Sequence, residues 1–80
     1  MLAHAPTTYA VLNACRALRF AVQGIQCSKV EAGEWYLERH PGNPVVLSAL
    51  AVQRASSAEP PDAEEAKDFV RDVTSQLVSL

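Results

Sequence analysis

The sequence predicts an all-α domain, a small four-helix bundle. Three observations carry that reading. Apolar residues recur at spacings of three and four in separate stretches, and glycine and proline punctuate the gaps between them. Alternation of apolar and polar residues does not persist for even five positions, so no strand is expected.

The first helix is expected over 8–23. Thr7 or Thr8 can cap it, and Val11, Cys15, Leu18 and Val22 form one apolar stripe. Leu12 and Phe20 widen the stripe, so the helix should be buried on more than one side and sit centrally. Gly24 stands where a left-handed terminator is needed. The second helix, 29–39, starts at a capping box in which Ser28 and Glu31 satisfy each other's backbone N–H groups. It runs through Val30, Glu34 and Leu37 and stops at Pro41-Gly42. Asn43-Pro44, an N-cap followed by proline at the first helical position, opens a third helix over 44–54 through Val46, Leu47, Leu50 and Ala51. Residues 55–61 read as a loop. Asp62, with Glu65 three residues on, caps the last helix over 63–78. Its apolar face is Ala66, Phe69, Val70, Val73 and Leu77, and its solvated face carries Glu64, Lys67, Asp68, Arg71, Asp72 and Ser75.

At 80 residues the chain is one domain, a leader over 1–7 and a helical body over 8–80. Its 49% hydrophobic and 20% charged residues suit a folded chain. A core this small favours docking onto a larger body or self-association. Net charge is −2, and the seven Lys and Arg are dispersed, so no nucleic-acid partner is expected. No apolar run approaches the ~20 residues of a membrane span, so no membrane partner is expected either. The first residues lack the basic and apolar regions of a secretion signal, which points to the cytoplasm.

Cys15 and Cys27 are 12 residues apart, ~18 Å along a straight helix. That is too far for a disulfide, and both read as reduced and structural. His4 and His40 do not stand at zinc-ligand spacing from them, so no metal site is expected.

The chain has no glycine-rich phosphate loop, no Gly-x-Ser-x-Gly, no Asp-x-Asp and no His-x-x-x-His, hence no complete catalytic apparatus. Asp62, Glu64 and Glu65 oppose a helix dipole rather than hold a metal. Two cations stand out. Lys29 occupies a first helical turn, where open backbone N–H groups and an ammonium can together receive a phosphate. Arg16 lies mid-helix beside the apolar stripe, one turn before Arg19, within reach of an acid such as Glu31 or Glu38. Each has a plainer reading, as a solvated lysine and a snorkelling arginine. Trp35 and Tyr36 are expected in the core, His40 as a helix C-terminal cation, and His4 without partners.

Tyr9–Pro41, with Arg16, Gly24, Lys29 and the run Ala32-Gly33-Glu34-Trp35…Glu38-Arg39…Pro41, resembles the C-terminal helical domain of aminoglycoside (3'')(9)-adenylyltransferases. The likeness continues more loosely to Leu77. In that family a nucleotidyltransferase domain precedes the helical one and carries the magnesium-binding acids and the catalytic base. ATP and the drug bind between the two. The resemblance implies that Arg16 and Lys29 bind nucleotide, that ATP and magnesium are the cofactors, with none held by these residues alone, and that an aminoglycoside is the acceptor. The chain departs from the pattern at Pro6, where an acid contacting the aminoglycoside is expected, and at Gln53, where a tyrosine is. The 80 residues contain no nucleotidyltransferase domain. The expectation is therefore a truncated or free-standing substrate-binding domain, inactive alone and linked to antibiotic resistance. The alternative is a small interaction protein that homo-oligomerises or pairs with a separate nucleotidyltransferase chain.

Overall fold

The computed structural model describes residues 6–55 and 59–79. They form four helices and, among the described residues, no strand: α1 Pro6–Gln23, α2 Lys29–Arg39, α3 Pro44–Arg54 and α4 Ala63–Ser79. This is the all-α four-helix bundle expected. The bounds of α2 and α3 coincide with the expected ones because both starts are encoded locally. Ser28 Oγ accepts from Glu31 N at 3.1 Å while Glu31 Oε1 accepts from Ser28 N at 3.0 Å. Asn43 Oδ1 accepts from the N–H groups of Val45 and Val46, with Pro44 at the first helical position.

α1 begins at Pro6 rather than at residue 8, so Thr7 and Thr8 lie inside the helix and do not cap it. Its N-cap, His4 and most of the expected leader lie outside the described residues. At the other end Gly24, at φ 70°, ends α1 with its N–H on Phe20 O at 2.7 Å. That backbone conformation strains any residue with a Cβ. Only part of the second expected capping box forms. Asp62 Oδ2 accepts from Glu64 N at 3.0 Å and Glu65 N at 3.4 Å, but Glu65 makes no return bond among the described residues.

α1 packs against each of the other three helices, the central position its pattern implied. Val11, Leu12, Cys15 and Leu18 are buried with Ala32, Trp35, Tyr36, Val45, Val46, Ala49, Leu50, Ala66, Phe69 and Val73. The expected stripe stops at Leu18, since Phe20 is 51% and Val22 46% exposed. α2 buries Trp35 and Tyr36, as expected, together with Ala32 and Gly33, while Glu34 faces out to pair with Arg54 at the end of α3. Gly33 permits this packing. A Cβ there would stand 2.8 Å from Leu50 Cδ2 and 2.9 Å from Leu50 Cγ. On α3 the buried residues are Val45, Val46, Ala49 and Leu50, with Leu47 exposed. Tyr36 joins α2 to α4 edge-on against Phe69, with centroids 5.1 Å apart, and stacks on His40 at 4.4 Å.

Candidate functional site

The site lies on the outer face of α1. Tyr9, Asn13, Arg16 and Phe20 are spaced four, three and four residues apart, so they share one face, and all four are exposed. Beyond Gly24 the chain turns back along that face. Arg16 Nε donates to Cys27 O at 3.0 Å, and Arg16 Nη1 donates to Asn13 Oδ1 at 3.4 Å. Arg16 therefore ties the α1–α2 loop to α1 through a backbone carbonyl, not through Glu31 or Glu38. Two of its five N–H donors are used, leaving three for a ligand.

The same turn corrects the picture of the cysteines. Cys27 is on the returning loop, with its carbonyl bonded to the residue after Cys15, so the straight-helix separation does not apply. Both thiols are free. Burial pushes the Cys15 thiol from 9.0 to about 12, which leaves it protonated and inert as a nucleophile. Burial likewise raises the Tyr36 phenol above its usual range.

Lys29 sits against Tyr9, its ammonium nitrogen 4.7 Å from the ring centroid, a cation–π contact. Arg16 and Lys29 thus both rest on the Tyr9–Asn13–Arg16 face, one by way of Cys27 and the other by way of Tyr9. A surface cleft of about 310 Å³ opens beside them, lined by Asn13, Arg16, Ala17, Phe20, Gln26 and Cys27. Arg16 lines the cleft, whereas Lys29 stands at Tyr9, about one helical turn beyond its Asn13 rim.

The α2 N-terminus is only partly open. The bond from Ser28 N–H, with a smaller contribution from the Ser28 hydroxyl, holds the Glu31 carboxyl below its usual range. This carboxylate already faces the positive end of the helix dipole. The N–H groups of Lys29 and Val30 have no acceptor among the described residues.

Such a surface can bind: guanidinium and ammonium groups, two open backbone donors, and half-exposed Phe20 and Tyr9 rings beside an apolar floor. It holds no nucleophile–base pair. Among the described residues no group of three or more His, Cys, Asp or Glu could hold a metal. Nor is any helix long and apolar enough to cross a membrane among those residues. Trp35 and Tyr36 are buried in the core, as expected, and His40 is the C-cap of α2, its N–H on Tyr36 O at 2.9 Å. Tyr9, Asn13, Phe20 and Gln26 were not read as site residues. The four-three-four spacing of Tyr9, Asn13, Arg16 and Phe20 was the available signal, since it repeats the core stripe on the opposite side of α1.

A second cleft of about 410 Å³ lies between α1 and α4, lined by Thr7, Ala10, Ala63, Ala66 and Val70 together with Lys67 and Arg71, and its surface is mainly apolar. No curated protein and no solved structure matches the chain. The model of the family described as aminoglycoside adenylyltransferase, C-terminal domain, matches residues 2–79. The chain belongs to that family, the C-terminal domains of aminoglycoside adenylyltransferases.

Proposed function

We propose that this chain is the substrate-binding helical domain of an aminoglycoside nucleotidyltransferase-like protein and that it binds the phosphates of ATP through Arg16 and Lys29. The observation that carries the reading is that Arg16 on α1 and Lys29, which begins α2 and contacts Tyr9, both lie beside one face of α1, neither ion-paired with an acid among the described residues. Lys29 keeps its ammonium donors, because a cation–π contact uses none of them, and Arg16 keeps three N–H groups. The cleft beside Arg16 gives an attached base or sugar apolar surface at Ala17 and Phe20.

Adenylyl transfer also needs groups that position the nucleophile and stabilise charge at phosphorus. These side chains do not supply them, so a nucleotidyltransferase domain, covalently attached or separate, completes the site. Magnesium, held by that domain's acids, would offset the phosphate charge, while Arg16 and Lys29 hold phosphate oxygens. The aminoglycoside is the acceptor by family membership. A cytoplasmic location fits, because ATP is found there.

Calorimetric titration with ATP and magnesium tests the reading. Lys29→Ala and Arg16→Gln should each weaken binding about tenfold or more, the worth of one charge-assisted hydrogen bond. Equal affinity in wild type and both variants would remove these residues from the site. Incubated with streptomycin and ATP, the isolated chain should transfer no adenylyl group.

A further inference from the structure

We infer that Arg19, Trp35 and Arg39 form a second oxyanion site, for a phosphate group, separate from Arg16 and Lys29. Trp35 and Arg39 stand four residues apart on α2 and share a face, and Arg19 reaches across from α1. The guanidinium carbons of Arg19 and Arg39 lie 5.9 and 5.0 Å from the same indole centroid. Both guanidiniums therefore lie near one indole ring, and neither is in an ion pair among the described residues. The ion pairs formed among the described residues are Arg54–Glu34 and Arg71–Asp68. Arg19 spends one N–H on Gln23 Oε1 at 3.2 Å, and Arg39 donates to no described residue.

A second observation points the same way. Trp35 is only 7% exposed, yet its indole N–H has no acceptor among the described residues. The atom is not sealed inside, because Thr8 Oγ1 is the buried side-chain polar atom that lacks a partner among the described residues. The indole and both guanidiniums thus keep N–H groups that no described residue accepts. The Glu31 carboxylate is held mainly by Ser28 and forms no ion pair with Arg19. A phosphate dianion suits the cluster, since its charge offsets both cations and its oxygens match guanidinium forks bidentately.

Trp35 is the one tryptophan in the chain, so its indole N–H gives a single isolated signal in a ¹⁵N NMR spectrum. Inorganic phosphate titrated at constant ionic strength against chloride should shift that signal saturably. Arg19→Gln and Arg39→Gln should each weaken the response about tenfold, with backbone spectra showing both variants folded, and Lys29→Ala should leave it unchanged. In an arm with adenosine monophosphate, affinity equal to that of inorganic phosphate identifies the phosphate group alone as the ligand, and tighter binding identifies a nucleotide. The inference fails if phosphate leaves the wild-type signal unmoved, if both arginine variants respond like wild type, or if Lys29→Ala abolishes the shift. The last result would place the anion at the site proposed above.

Discussion

Gly33 is the point at which the packing of α2 is most easily broken. In Gly33→Ala the new methyl would stand 2.8 Å from Leu50 Cδ2, 2.9 Å from Leu50 Cγ and 3.1 Å from Leu12 Cδ2. Ordinary carbon contacts are about 3.5–4.0 Å, so the neighbours must retreat by roughly half an ångström or more. Leu50 cannot swing its tip aside, because the clash includes its branch carbon and the residue is buried in a core that also holds Leu12. Overpacking of this kind costs about 1–3 kcal/mol, and this geometry belongs at the upper end. Alanine in place of glycine within a helix returns about 1 kcal/mol. The net is a loss of about 2 kcal/mol, a fall in Tm of roughly 8–16 °C for a domain of this size. Thermal and urea unfolding followed by circular dichroism measure it. Leu50→Ala should remove the two closest contacts and leave only Leu12 Cδ2 at 3.1 Å, so Gly33→Ala made in that background should cost much less than in wild type. A single variant as stable as wild type, or the same loss in both backgrounds, would refute the account of how α2 meets α1 and α3.

Other perturbations have equally definite signs. The Thr8 hydroxyl is buried without a partner among the described residues, so Thr8→Val should raise stability by about 1 kcal/mol in urea denaturation, against the loss expected if the hydroxyl were bonded. Ser28→Ala should cost about 1 kcal/mol through the lost cap. Glu31 titrates below its ordinary 4.5 in the folded state, so its contribution is present above that pH and is lost as pH falls through the lowered value. Acid unfolding of Glu31→Gln should lack this part of the decline. The Cys15 thiol has the opposite sign. Its contribution is whole below pH 9.0 and is lost as pH rises toward about 12. At pH 8 a thiol reagent should modify Cys27 in the native protein and reach Cys15 only after denaturation.

What the sequence disclosed and what it hid divide along physical lines. α2 and α3 were placed to the residue because Ser28 with Glu31, and Asn43 with Pro44, are local chemistry at each start. The start of α1 was misread because the threonines drew attention past Pro6, itself well suited to a first helical position. Periodicity marks a face but not how far its partners extend, so Val22 continues the stripe of Leu18 in sequence and yet is exposed. Gly33 has no side chain to contribute to a pattern, although its absence of a Cβ lets Leu50 approach. At the candidate site Arg16 and Lys29 stood out by residue type and position, but their surroundings did not. Arg16 bonds a backbone carbonyl, which no sequence displays, and Lys29 meets Tyr9 across a turn whose path depends on Gly24.

The central claim is that the Tyr9–Asn13–Arg16 face and the turn into α2 receive the nucleotide. Backbone ¹⁵N chemical shifts recorded during an ATP–magnesium titration test it residue by residue. The account predicts saturable changes concentrated at 9–20 and 26–30, abolished in an Arg16→Gln, Lys29→Ala double variant that remains folded. Changes confined to α4, or a response that survives the double variant, would contradict it.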